Sequence, residues 1–526
     1  MKVVSSRCFG LVHRAAWVFA AGISLVSAGY AAVRLPQVFS EGMVLQREKP
    51  VLIWGWADPG EPVTVEIAGQ QQRTTANLHG RWQVTLEPVR ASSAVYLVVR
   101  GAANALAIEE VLVGEVFLCS GQSNMAMSMA AATRLPGVAD DLAAANFPEI
   151  RFFKTPDLMS KMPEQDIAAK WEPITPENLP KHSAVAFYFS RALHAHLGVP
   201  IGIIRASHAG GPAEAKMPLP ALLQLDIGRA YYESARKREQ SWTPERMASF
   251  NLDMLSKWEA AVKESEARGA KPPSKPTPRR SAIDFSFPAS DYNAQIAPVI
   301  AYGKRAVLWY QGEHNASRTR AFEYRRLFPA LIHSWRDEMG DPGMPFIFVQ
   351  LPAFGASPGD DWPALRESQL LTLRAVPRTG LVTTIDTGER DNIHPADKFP
   401  VGERLSREVR RLAFGENVSG CGPLAASHSV TGDRVVVRFD FIGGGLVGRD
   451  GATLGGFTIA AADRKFVPAN AAIVGDTVVV SSPAAPQPVA VRYAWEAWPT
   501  VSLFNREGLP ASPFRTDDWD LTPLAP

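Results

Sequence analysis

From Val33 to Ile108, apolar and polar positions alternate in short runs broken by turn residues. Val63, Val65 and Ile67 alternate after Asp58-Pro59-Gly60, and Trp82, Val84 and Leu86 alternate after Gly80, the period of strands with one buried face. The stretch 32–110 is therefore predicted to be a β domain. From Val111 to Gly415 the alternation gives way to continuous apolar runs at 113–119, 201–206, 305–310, 346–351 and 381–386, separated by helical stretches. That succession marks βα units and a parallel sheet, so 111–415 is expected to be an α/β domain. After Gly420 alternation returns at 435–439, 477–481 and 489–493, which predicts a second β-sandwich-like region over 416–526.

An insertion at about 218–290 interrupts the α/β pattern. Met247, Phe250, Met254, Trp258 and Ala261 share one helical face after Thr243-Pro244-Glu245, which predicts an amphipathic helix that packs onto something. The proline-rich run 271–278 that follows reads as an extended loop. The insertion is either a wall or lid over the site or a solvated decoration.

Residues 1–31 read as a signal peptide: Lys2, Arg7 and Arg14 precede the apolar run 15–26, and small residues follow. Cleavage after Ala28 or Ala31 predicts a secreted or periplasmic protein with no membrane association once the peptide is removed. Its loss moves the formal net charge of the 526-residue chain from +2 to −1. A near-neutral chain without a stripe of basic and aromatic residues gives no footprint for nucleic acid. Cys8 leaves with the signal, and Cys119 and Cys421 match no metal-ligand spacing. Cys119, inside an apolar strand, reads as a buried inert thiol.

Candidate chemistry collects just beyond the predicted strands, where open α/β sheets bind ligands. Ser123 follows Ser120-Gly121-Gln122 at the end of an apolar strand. The run is not the G-x-S-x-G elbow of α/β-hydrolases, because Met125 stands at the last glycine, and a serine at this position also suits a helix cap. Asp391 and His394 are three residues apart, a spacing at which the carboxylate can orient the imidazole toward a serine. Asn315, after Tyr310-Gln311-Gly312-Glu313-His314, can offer an amide to a developing oxyanion. Gly210 and Gly211, after Ser207-His208-Ala209, can bring a backbone N–H to a ligand. Gln122, Glu313 and Gly211 are candidate substrate contacts. His208 and His314 are rival bases that lack an acid at the same spacing, and are read as wall or structural residues.

Taken together, these blocks resemble the SGNH-hydrolase superfamily and, more narrowly, the sialate O-acetylesterase family. The likeness rests on Gly121-Gln122-Ser123-Asn124-Met125 and Tyr310-Gln311-Gly312-Glu313, and extends to 39–46 and 513–519. It implies a flavodoxin-like three-layer α/β core with flanking N- and C-terminal β-sandwich-like regions. It further implies a serine esterase acting on O-acetylated carbohydrate, without metal or organic cofactor. Ser123, Asp391 and His394 would be catalytic, and the Ser123 and Gly210 N–H groups and the Asn315 amide would form the oxyanion hole. The family usually reads Trp-Gly-Gly-Thr-Pro where this chain has His208-Ala209-Gly210-Gly211-Pro212, and tryptophan where it has Lys216, so the sugar wall is expected to differ. O-acetylated sialic acid is the first substrate expected. Acetylated plant-wall or bacterial polysaccharide is the alternative, and a non-catalytic carbohydrate-binding protein is a remote third.

Overall fold

The computed structural model describes residues 32–520 apart from Arg280 and Ala452; the expected signal peptide lies outside the described residues. Six strands come first: β1 (Val44–Gln46), β2 (Val51–Trp56), β3 (Pro62–Ile67), β4 (Gln70–Thr75), β5 (Arg81–Leu86) and β6 (Ser92–Arg100). The alternating residues of β3 and β5 point into the core as their pattern requires.

The next strand, β7 (Ala105–Gly121), is 17 residues long and serves two regions. Its first half pairs with β6 antiparallel and its middle with β1 in parallel. Its second half enters a sheet with β8 (Phe147–Lys154), β9 (Trp171–Ile174), β10 (Ile201–Ser207), β11 (Ala306–Tyr310), β12 (Phe346–Val349) and β13 (Thr379–Val382). Burial follows the change of partner: residues up to Glu110 are exposed or half-buried, and every residue from Val111 to Gly121 is buried. The expected boundary at 110/111 thus falls inside one continuous strand.

The strand order is β13-β12-β11-β7-β10-β8-β9, parallel throughout except for the edge strand β9. From β7 the chain goes out to β8 and the edge strand β9, returns to insert β10 between β7 and β8, then crosses to β11, β12 and β13 on the other side. The order reverses at β7, and a crevice opens beyond the carboxyl end of a strand at such a switch.

The connections carry α1 (Ser123–Ala126) and α2 (Val138–Ala143) after β7 and α3 (Ala184–Leu197) before β10. They continue with α4 (Leu219–Leu223), α5 (Asp226–Gln240) and α6 (Pro244–Ala267) before β11, α7 (Arg318–Met339) before β12, α8 (Trp362–Ala375) before β13 and α9 (Phe399–Ala413) after it. Phe117 of β7 meets Phe189 of α3 at 4.9 Å, and Trp309 of β11 meets Phe328 and Trp335 of α7 at 5.7 Å. Trp309 pairs in register with Ser120, three residues from Phe117. The two aromatic residues therefore point to opposite faces, each met by its own helix.

Two expectations need correction. The run 381–386 is a strand only as far as Val382. Beyond it Thr384 Oγ donates to the Gln350 carbonyl and Asp386 takes a two-pronged bond from Arg404 at 2.7 Å, which turns the chain out of the sheet. The helix α6 forms with Thr243 capping Arg246 N, but none of its residues is buried. Its apolar face meets the insertion's own chain: Phe250 packs edge-on to Trp242, and Trp258 Nε1 donates to the Pro273 carbonyl.

After α9, two four-stranded antiparallel sheets form. One holds Leu424–Thr431, Arg434–Asp440, Thr477–Ser481 and Asn470–Val474, and the other Phe466–Pro468, Phe457–Ala460, Ala490–Tyr493 and Phe514–Arg515. Val435, Val437, Val478 and Val480 of the first and Phe457, Ile459, Val491 and Phe514 of the second share one core.

Candidate active site

Gly121 ends β7 with φ +139°, and a Cβ there would lie 2.0 Å from the Tyr310 carbonyl oxygen. Glycine lets β7 and β11 stay this close while the chain turns into α1. Gln122 N donates to that same carbonyl at 2.9 Å. Ser123 then opens α1, half-buried at the carboxyl edge of the sheet. It is not a cap, since Gln122 occupies that position. Its Oγ lies 2.7 Å from His394 Nε2, within reach for a nucleophile and its base. Burial and, second, the Lys398 ammonium hold the His394 imidazole below its ordinary range, which favours the neutral form a base requires.

The loop that presents His394 is closed on Glu389. Its carboxylate accepts from Ala396 N at 2.6 Å, from Asn392 Nδ2 at 3.0 Å and from Arg134 at 2.6 Å. The Asn392 side chain in turn bonds both the N–H and the carbonyl of His394. Asp391 is exposed, and among the described residues it makes no hydrogen bond or ion pair with His394 or with any other group. The fold brings Ser123 and His394 together, whereas Asp391 is near the imidazole in sequence without touching it.

Asn124 is fully buried beside the nucleophile. Its amide donates to the Ile393 carbonyl at 3.0 Å and to Glu313, and its oxygen accepts from Lys398 Nζ at 2.6 Å. Burial raises the Glu313 carboxyl, and its Oε2 is buried without a partner. The Gln122 side chain faces inward, where Oε1 accepts from His314 N at 3.3 Å and holds the turn after β11.

Among the oxyanion candidates, Gly210 has φ +77° and lies against Phe285, whose ring is 3.3 Å from where a Cβ would be. Gly211 is buried, and a Cβ on it would strike Asp291 at 2.6 Å and Lys216 at 3.0 Å. Asn315 is fully buried. Its Oδ1 accepts from Ala213 N at 3.0 Å and Gln311 Nε2 at 2.7 Å, while Nδ2 gives one hydrogen to Glu214 at 3.2 Å and keeps a second.

Comparison with known proteins fits this arrangement. The family described as carbohydrate esterase, sialic acid-specific acetylesterase, matches residues 282–410. Human sialate O-acetylesterase is 28% identical over 91% of this chain and 92% of its own, and the mouse protein is 28% identical over 90% and 92%. A solved carbohydrate acetylesterase from Xanthomonas citri is 35% identical, covers 93% of this chain and all of its own, and superposes with a TM-score of 0.78. The chain belongs to the sialate O-acetylesterase family. It is a carboxylic ester hydrolase, an O-acetyl esterase acting on carbohydrates.

For a sialate O-acetylesterase family member, several site residues carry no motif. Lys216, where the family has tryptophan, is fully buried and pairs with the equally buried Asp291 at 2.5 Å, directly behind Gly211. Glu214 takes Arg320 as well as Asn315. No sequence signal marks these partners, because the contacts span 75 and 106 residues. Phe285 comes from the insertion and lies between His208 and His314, at ring distances of 6.0 and 5.9 Å. The insertion therefore supplies part of the wall beside Gly210, and both rival histidines are wall residues. Burial, ahead of the Arg320 charge, lowers His314.

Proposed function

We propose that this chain is a secreted serine esterase that removes acetyl groups from O-acetylated sialic acid by an acyl-enzyme mechanism. The observation that carries the mechanism is the 2.7 Å approach of Ser123 Oγ to a largely neutral His394 Nε2 at the carboxyl end of β7. His394 takes the hydroxyl proton as Oγ attacks the acetyl carbonyl, and returns it to the departing sugar oxygen. Water, deprotonated by the same imidazole, then releases acetate from the acyl-serine. In this reading the Ser123 and Gly210 N–H groups and the second Asn315 amide hydrogen receive the oxyanion. Asp391 turns inward to accept from His394 Nδ1, fixing the tautomer. Gly211 and Gln122 shape the substrate side through the backbone, and Glu313 borders it through its bond to Asn124 beside the nucleophile.

The same reading takes residues 1–31 as a cleaved signal, 32–110 as the first β domain, 111–415 as a flavodoxin-like three-layer esterase domain and 416–526 as a sandwich-like region. A sialic acid brings a carboxylate that calls for a cation. Arg134, Lys216, Arg320 and Lys398 are engaged by Glu389, Asp291, Glu214 and Asn124. Arg390, exposed in the histidine loop, has no hydrogen-bond or ion-pair partner for its side chain among the described residues, and we assign it the sialate carboxylate. The second reading, deacetylation of plant-wall or bacterial polysaccharide, draws on the higher identity to the Xanthomonas carbohydrate acetylesterase. Acetate release by residues 32–526, Ser123→Ala and Arg390→Ala on acetylated sialic acids, xylan, xyloglucan and an aryl acetate tests both. Ser123→Ala is expected to be inactive on all of them, and Arg390→Ala to lose the sialic acids and keep the aryl acetate. Unchanged turnover of sialic acids by Arg390→Ala, with polysaccharide preferred, would move the substrate to the second reading.

A further inference from the structure

Lys398 is a buried cation behind the site for which the acyl-transfer steps have no use. It follows His394 by four residues and is 1% exposed. Its Nζ donates to Asn124 Oδ1 at 2.6 Å and lies 5.4 Å from the centre of the Tyr310 ring. Asn124 passes the contact on, since its amide donates to the Ile393 carbonyl at 3.0 Å and to Glu313. A single side chain therefore joins the residue after Ser123 to the residue before His394, with Lys398 fixing its orientation. Removing Lys398 would leave the amide free to flip and the two loops joined by less.

We infer that Lys398, acting through Asn124, is a positioning residue that holds His394 in register with Ser123. The inference rests on the reading of Ser123 and His394 as the reacting pair. Deep burial of an ammonium is costly unless its surroundings compensate. The groups that face it are Glu313 from the turn after β11, Glu389 and Asp397 from the histidine loop, Arg134 from the segment after α1, and the ring of Tyr310. Burial outweighs the three carboxylates and pulls Lys398 down to about 7. Below that pH it is positive, which covers the range in which His394 gains its proton. The Lys398 ammonium therefore opposes the imidazolium and keeps the base free in mildly acidic solution.

The experiment measures kcat and KM on an aryl acetate from mildly acidic to mildly alkaline pH for the mature enzyme, Lys398→Met, Lys398→Gln, Asn124→Ala and Ser123→Ala. Lys398→Met is expected to lose about 10- to 100-fold in kcat with little change in KM, the size of effect that slight misplacement of reacting groups produces. Its acidic limb should move to higher pH, because the opposing charge is gone. Lys398→Gln keeps a donor for Asn124, so it should recover most of kcat while showing the same shift of the limb. Asn124→Ala keeps the charge and cuts the bridge, so it should lose kcat with the limb in place. A folded Lys398→Met with wild-type kcat and limb overturns the inference. If that variant does not fold, wild-type kcat in Asn124→Ala together with an unmoved limb in Lys398→Gln overturns it. Activity in Ser123→Ala is a separate failure, that of the Ser–His reading itself.

Discussion

Two carboxylates lie in the five residues before His394, and their environments assign them different work. Glu389 accepts from three donors, Arg134, Asn392 and Ala396, which closes the loop, and Asp391 is exposed without a hydrogen bond. Glu389→Gln keeps the shape but turns an acceptor into a donor facing Ala396 N or Asn392 Nδ2. It is expected to lower stability by about 1 kcal/mol, the net worth of a hydrogen bond outside the core, and thermal unfolding followed by circular dichroism measures this. Asp391→Asn should leave the unfolding curve unchanged, because no contact is lost. If Asp391 orients the imidazole during turnover, the substitution lowers kcat by about 10⁴, the cost of the wrong tautomer in a serine triad; wild-type kcat would remove Asp391 from the mechanism. Ser123 and the glycines stand out in the sequence because they follow the ends of β7 and β10, and His394 because an aspartate precedes it by three residues. Asn124, Lys398 and Glu389 are not, since their significance comes from contacts up to 274 residues away.

At the scale of elements, legibility follows burial. The second part of β7, from Val111, and the strands β10, β11 and β12 are buried on both faces and read as continuous apolar runs. β8 escapes that reading because Glu149, Arg151 and Lys154 break its apolar run. The end of β13 is misplaced because Thr384 and Ile385 are buried and Asp386 half-buried beside side-chain bonds rather than strand pairing. A buried histidine in the seam beside β8 gives this region a pH response. His182 is 2% exposed, neither ring nitrogen has a hydrogen-bond partner, and its ring lies 4.8 Å from Phe152. Burial, opposed by Glu172, lowers it from 6.5 to about 4. The unfolded chain takes up this proton before the folded one does, so the stability it contributes is complete above about 6.5 and is lost as pH falls toward 4. The loss amounts to about 3 kcal/mol. His182→Phe, which keeps an aromatic ring against Phe152, should flatten this part of the pH–stability curve measured by denaturant unfolding. An equally steep fall in the variant would place the acid sensitivity elsewhere.

For the whole molecule, the succession of β, α/β and β regions is legible because the hydrophobic period changes twice along the chain. The ties between regions are not, and Arg366 of α8 is the clearest. It is fully buried and its guanidinium donates to four carbonyls: Leu351 at 3.0 Å, Pro352 at 2.7 Å, Glu496 at 2.8 Å and Ala497 at 3.0 Å. The first two belong to the loop after β12 and the last two to the C-terminal region. The same loop donates two further bonds, from Phe354 N to the Ala497 carbonyl at 3.0 Å and from Gly355 N to the carbonyl of Arg390 in the histidine loop at 2.9 Å. One side chain thus links the C-terminal region, the loop after β12 and, one step on, the segment that presents His394. Arg366→Met fills much of the volume but leaves all four carbonyls without that donor. It is expected to cost about 3 kcal/mol or more, as when a buried charged partner is removed. Because the lost bonds join two regions with separate cores, the C-terminal region should become sensitive to limited proteolysis before the rest unfolds, and kcat should fall as the Arg390 anchor loosens. Arg366→Lys restores the charge without the planar fork, and should recover only part of either effect. Wild-type protease resistance and kcat in Arg366→Met would mean that the two cores hold their relative position by packing alone.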